Sequence, residues 1–289
     1  MMRKFAQRYW TTLPCIILLA IFMVGPILWS LYGSLTNMSL TGENAVNHSF
    51  VGLTNYGKLF TDGEFPKVLW LTFLFVFFSA IIAQNGLGLL LAMLLQRMPK
   101  AACRFVSTTV IAAWVLPETA ASFVCYAFFN KDGSFNQLIA GLNLPKVDWL
   151  YYLPMLAVIL ANVWRGTAFS MMNYQAALGD VDQSVSESSA LDGASWFQDF
   201  FLVKLPMIKQ TVVTNLMLIT LQTLAGFTLI YVMTAGGPGT NSTTLSVYTY
   251  KQAFRFGDIG YGTAISVVML AVGAIFGIIY IRALNSEKE

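Results

Sequence analysis

Asn162, Arg165, Gly166, Phe169 and Asn173 are spaced i, i+3, i+4, i+7 and i+11, which sets them on one face of a helix. The face combines hydrogen-bond donors, a gap where glycine lacks a side chain, and an aromatic ring. A solute with many hydroxyls and an apolar ring face, such as a sugar, needs that combination. The plainer alternative is that the stripe packs against neighbouring helices, because small and polar residues also mediate helix contacts. Thr223 and Gly226, three residues apart, offer an opposite wall. Glu118 and Arg165 are the two charges inside otherwise apolar stretches. Such groups face an interior or a water-filled cavity, so they either line a pathway or form structural pairs that fix helix packing. Gln84, Asn85, Asn215 and Gln222 also interrupt apolar runs, where hydrogen bonds between helices are their ordinary role.

Covalent chemistry finds little to work with. Histidine occurs once, at His48, and Cys15, Cys103 and Cys125 lack metal-ligand spacing. No GxxxxGK[ST] phosphate loop is present. A membrane-embedded enzyme would need a nucleophile and base or a metal cluster. A secondary transporter or channel would be expected to carry relay carboxylates, and Glu118 alone is available. A net charge of +3, dispersed along the chain, argues against a nucleic-acid partner.

The elements that must hold these residues are apolar. The chain of 289 residues is 56% hydrophobic and 11% charged, with a mean hydropathy of +0.64. A soluble domain carries about 25% charge. Six stretches, 13–35, 68–95, 105–129, 153–178, 211–234 and 259–281, reach the ~20 residues a spanning helix needs. Four of them contain no Asp, Glu, Lys or Arg, which points to an all-α transmembrane protein rather than a β-barrel of short alternating strands. Pro117 removes a helix hydrogen bond and is expected to bend the third span. Arg3, Lys4 and Arg8 precede a first apolar run too long for a typical leader, so it reads as a retained helix. Segments 1–12, 96–104, 179–210 and 282–289 hold ten Lys and Arg, against six in 36–67, 130–152 and 235–258. That bias places both termini, 1–12 and 282–289, in the cytoplasm. Residues 13–281 then read as one transmembrane domain. The external segment 36–67 should hold only short helices, and Ala235-Gly236-Gly237-Pro238-Gly239 should stop a helix.

The loop 179–210 is patterned. Asp182 or Ser184 caps a short helix through about Leu191, and Gly193 ends it. Trp196, Phe197, Phe200, Phe201 and Leu205 follow at near-helical spacing, then Pro206 leads into the fifth span. A small-residue patch, Ser188-Ser189-Ala190, either faces outward or packs closely against something. Periodicity alone leaves open an amphipathic helix lying on lipid.

Glu187-Ser188-Ser189-Ala190-Leu191-Asp192-Gly193-Ala194, followed by Leu205-Pro206, resembles the signature loop of ABC importer permeases, EAA, three residues, G, then LP. Phe50 to Tyr56 (FVGLTNY), Asn162 to Phe169 (NVWRGTAF), Leu229 to Gly239 (LIYVMTAGGPG) and Tyr250 to Phe254 with Gly257 to Tyr261 resemble further segments of the maltose-transporter-like carbohydrate permeases. Ser188 and Ser189 depart from the two alanines that the family usually has there.

The resemblance implies a six-helix ABC importer permease core in a bacterial inner membrane. It implies a helix at 184–194 that couples to a separate ATPase through Glu187, Ser188, Ser189, Ala190, Asp192 and Gly193, with Glu187 and Asp192 as acceptors for basic groups. It implies a carbohydrate pathway through Asn162, Arg165, Gly166, Phe169, Thr223 and Gly226, to which the intramembrane Glu118 is added. The expected partners are a second permease, two ATP-binding cassette subunits, an extracytoplasmic solute-binding protein, the carbohydrate and membrane lipid. No cofactor is expected in this chain, since ATP is bound by a separate subunit.

Overall fold

A computed structural model describes residues 12–285, so 1–11 and 286–289, the greater part of the ends expected at 1–12 and 282–289, lie outside the described residues. The described residues are helical, with isolated bridges Thr36–Phe50 and Ser39–Asp258 and no strand. Four helices are long and apolar enough to cross a membrane: α1 (Thr12–Ser34), α2 (Phe65–Leu95), α5 (Pro154–Gly179) and α11 (Ile259–Asn285). Two bent pairs bring the candidates to six. One joins α3 (Lys100–Val115) to α4 (Glu118–Phe129) and the short helix after it; the other joins α7 (Trp196–Met207) to α8 (Lys209–Leu224). The remaining labelled elements are α6 (Gln183–Leu191), α9 (Thr228–Thr234) and α10 (Leu245–Tyr250).

Two of the six spans expected from the sequence differ from straight helices. The third bends by 104° at Leu116–Pro117, where both residues have extended ψ, 136° and 138°. Proline lacks the N–H that would continue the ladder and pushes the preceding residue out of the helical region. The fifth, expected over 211–234, is interrupted at Ala225–Phe227 and resumes as α9, which ends with Ala235 at φ 49°. The short helices Glu43–Val46 and Thr54–Thr61 are the pieces expected in 36–67.

The chain divides into two compact units. In the first, formed by 12–65 and 248–271, the FVGLTNY segment is structural. Asn55 is buried and its Nδ2 donates to the carbonyls of Ser34 (2.9 Å) and Thr36 (2.8 Å), which the end of α1 leaves unpaired. Lys58 pairs with Asp258 at 2.7 Å, and Asp62 accepts from the hydroxyls of Tyr248 and Tyr261. Burial works to raise the Asp62 pKa, but the two hydroxyls and nearby backbone N–H groups outweigh it, and the net shift is downward.

The second unit, 66–247 with 272–285, is organised on α2 and α5. They cross at Gly88, where a Cβ would fall 2.4 Å from that of Ser170, so only glycine permits this approach. One apolar cluster gathers Phe75, Phe129, Val158, Ile230 and Met233; another gathers Ala92, Met93, Tyr174, Leu178, Phe200 and Ile208. A buried polar network joins α2, α5 and α8. Tyr174 donates to Asn85 Oδ1 at 2.5 Å, Asn215 Nδ2 lies 2.8 Å from the same oxygen and 3.0 Å from Ser170 Oγ, and Asn173 Nδ2 donates to Asn215 Oδ1 at 2.7 Å. In an apolar surround, each such group needs its partner.

Candidate functional site

A cavity of about 430 Å³ opens within the second unit. Asn162, Arg165, Gly166 and Phe169 reach it from α5, Thr223 from α8, Gly226 from the break after it, and Glu118 from the first turn of α4. The seven pathway candidates therefore converge. The break at Ala225–Phe227 also exposes Gly226 and Phe227 to the cavity, and Thr228 completes that wall.

The details correct the sequence reading at three points. Asn173 faces the buried network and not the cavity. The gap expected at Gly166 is filled: a Cβ there would fall 2.3 Å from the amide of Gln84, whose Nε2 donates to the Asn162 carbonyl at 3.0 Å. Asn162 itself turns its Nδ2 to Ser79 Oγ at 2.9 Å. Glu118 and Arg165 line the same cavity without forming an ion pair among the described residues. The Arg165 Nε is buried with no hydrogen-bond partner. An unmade bond of that kind costs about 1–3 kcal/mol.

Three further residues add to the lining. Gln84 and Gln222 add amides, and Trp114 lies against Phe169 with ring centroids 6.1 Å apart. The glutamines were visible as polar breaks in apolar runs. Trp114 carried no such signal, because its place depends on the bend at Pro117. The lining is polar with an aromatic corner, suited to hydrogen bonding and ring contact.

The loop 179–210 forms the second site. Asp182 caps α6, its carboxylate accepting from the Ser184 N–H at 2.9 Å, which lowers its pKa. Gly193 has φ +81°, and after it the chain closes the helix end with Gly193 N–H to Ala190 O (3.1 Å) and Ala194 N–H to Ser189 O (3.0 Å). Glu187, Ser188, Ala190, Asp192 and Gly193 are exposed, and so is Leu191, which the sequence reading passed over. The small-residue patch is not uniform. Ser189 turns inward and donates to Asp199 Oδ1 at 2.6 Å. The aromatic run divides too: Phe200 is buried, whereas Phe197 and Phe201 are exposed. Beside α6 is a shallow groove lined by Ser184, Val185, Ser188, Ser189, Asp192 and Val203.

Comparison with known proteins follows this geometry. A family described as binding-protein-dependent transport system inner membrane component matches residues 68–287. The sulfoquinovosyl glycerol transport system permease of Agrobacterium fabrum is 30% identical over 95% of this chain and 89% of its own length. The trehalose/maltose transport system permease of Thermococcus litoralis is 29% identical over 97% of this chain and 94% of its own. Among solved structures, a bacterial alginate ABC transporter in complex with an alginate pentasaccharide-bound periplasmic protein has a subunit that superimposes with a TM-score of 0.81. It covers 96% of this chain and 94% of that one at 20% identity, a likeness of fold.

Proposed function

The chain belongs to the binding-protein-dependent transport system inner membrane component family, and from that premise we propose that it forms half of the sugar pathway of an ATP-driven importer. It is a multi-pass inner-membrane permease, a transport protein and not an enzyme. Its relatives carry sulfoquinovosyl glycerol and trehalose or maltose in their names, which supports a carbohydrate here.

The observation that carries the reading is the cavity lined by Glu118, Asn162, Arg165, Gly166, Phe169, Thr223 and Gly226. A charge in a span costs about 2.5–3.5 kcal/mol, so two of them around an open cavity argue for a wet pathway. The amides of Gln84 and Gln222, the Thr223 hydroxyl and the Arg165 guanidinium meet sugar hydroxyls, and Trp114 with Phe169 meets the ring face. The second permease closes the other side. Counting one crossing for each bent pair, with α8 crossing and α7 kept on the cytoplasmic side, gives six spans, and the Lys/Arg bias puts both termini in the cytoplasm.

On that side α6 is the coupling helix. Glu187, Asp192, Ser188, Ala190 and the exposed Leu191 face one of two ATP-binding cassette subunits, which hold the ATP. Ser189 and Gly193 support them by holding the helix and its end. The solute-binding protein delivers sugar on the opposite side. ATP binding closes the cassettes, displaces α6, and biases the cavity between its two openings.

The test is uptake by the reconstituted assembly. Phe169→Ala or Trp114→Ala should each lower uptake roughly tenfold, the equivalent of about 1.4 kcal/mol for a lost aromatic contact, with the ATPase still co-purifying. Unchanged uptake in both would place the pathway elsewhere.

A further inference from the structure

Ser189 stands where the family pattern has alanine, and its hydroxyl is not offered to a partner. It donates to Asp199 Oδ1 at 2.6 Å, while the other carboxylate oxygen, Oδ2, lies 3.0 Å from Lys204 Nζ. Asp199 is 7% exposed, and the side chains of Asp199 and Lys204 are 10% and 15% exposed. A carboxylate this enclosed is retained only with its partners in place. All three residues lie between α6 and the stretch of α7 over Asp199–Lys204, which is wound as a π-helix.

The next residue continues the path. Phe200 is 1% exposed and sits in the cluster with Ala92 and Met93 of α2 and Tyr174 and Leu178 of α5. Trp196, on the same element, lies under the Arg97 guanidinium at 4.4 Å, just beyond the end of α2. α6 is short and presents exposed residues along most of its length. The Ser189–Asp199 hydrogen bond joins it by side chains to the Asp199–Lys204 stretch.

We propose that Asp199 is a positioning residue for energy coupling, a strut that ties α6 through Ser189 to α7 and, through Phe200 and Trp196, to the ends of α2 and α5. This rests on α6 being the coupling helix. A displacement of α6 by the ATPase then reaches the two helices that carry Gln84, Asn162, Arg165 and Phe169. The Ser189 departure from the pattern and the buried Asp199 are one feature, a donor and its acceptor.

The experiment uses the full assembly with ATPase, second permease and substrate-loaded binding protein. Asp199→Asn keeps the shape and removes the charge. The expected result is at least about a fivefold loss of maximal ATPase stimulation by loaded binding protein, the low end of an ordinary coupling between two sites. The binding-protein concentration for half-maximal stimulation, basal hydrolysis and ATPase co-purification should not change. A merely structural role would lower assembly and basal hydrolysis together. Ser189→Ala should reproduce the loss, Ser189→Thr should retain stimulation, and Ser189→Ala added to Asp199→Asn should cost nothing further. Full stimulation in Asp199→Asn, or additive losses in the double variant, overturns the strut. Gly193→Val run in parallel separates the two levels. If it uncouples while Asp199→Asn does not, the strut alone fails; if both leave stimulation intact, the coupling role of α6 fails with it.

Discussion

Replacing Gly193 isolates the backbone contribution to the coupling loop. Its φ of +81° lies in the region that costs L-residues about 1–2 kcal/mol, and more when the side chain is β-branched. No heavy atom lies within 4 Å of where a Cβ would sit, so within this chain the penalty is conformational and not steric. Relaxing φ instead would break the closing bonds Gly193 N–H to Ala190 O and Ala194 N–H to Ser189 O, at roughly 0.5–1.5 kcal/mol each, so the substitution costs one or the other and not both. Gly193→Val should therefore lower the population of the docked loop by between one and two orders of magnitude, for about 2 kcal/mol. Asparagine tolerates this conformation, so Gly193→Asn should be mild and Gly193→Ala intermediate. The assay is ATPase stimulation by loaded binding protein in proteoliposomes, with membrane insertion measured alongside. The order Asn, Ala, Val of increasing damage is the expected result. Equal damage from all three would mean that the partner's surface, and not φ, demands glycine; full stimulation in Gly193→Val would refute the reasoning.

Three further outcomes follow from the same geometry. Gly166→Ala places a Cβ 2.3 Å from the Gln84 amide, an overpacking worth about 1–3 kcal/mol, so it should lower uptake, and Gln84→Ala in the same chain should recover part of the loss; no recovery would show that Gln84 does not fill the site. Asp199 has its pKa lowered, since Ser189 and Lys204 outweigh the burial that raises it. Its contribution is then full above the ordinary value of 3.8 and is lost only as pH falls below that. Amide-exchange protection across 183–204 should accordingly be flat from about pH 5 to 8, and loosening with a midpoint near neutrality would assign the loop to another group. In a chain without native cysteines, Ser186→Cys should resist an impermeant thiol reagent in intact cells and react after lysis, while Thr240→Cys should react from outside; the reverse pattern would invert the topology.

Much of this was legible in the chain because apolar length is a one-dimensional signal. The runs around α1, α2, α5 and α11 exceed what any soluble helix needs, and the ends of α6 follow from Asp182 and Gly193, whose effects are local. Convergence of the pathway residues was legible for α5, where a 3.6-residue period sets the face. It failed at Asn173, because a shared face carries no information about depth: eleven residues set that side chain about 16 Å further along the helix, where it meets Asn215. The bend at Pro117 was readable as a bend but not as 104°, since the angle depends on what α3 and α4 pack against. The break at Gly226 was not readable, because glycine occurs inside transmembrane helices as well as at helix ends. Contacts between residues far apart in sequence were the least accessible. Gln84 over Gly166, Trp114 against Phe169 and Ser189 on Asp199 arise only when the helices assemble. The FVGLTNY segment shows the converse: residues read in the sequence only as a resemblance hold, through Asn55, the end of α1.

The central claim is that this chain moves a sugar only when a separate ATPase hydrolyses ATP. The direct measurement is accumulation of labelled sugar in proteoliposomes containing the purified assembly, with loaded binding protein on one face and ATP on the other. Uptake should require both, stop with a non-hydrolysable nucleotide, and persist when proton and sodium gradients are collapsed. Uptake that proceeds without ATP and follows an ion gradient would contradict the account.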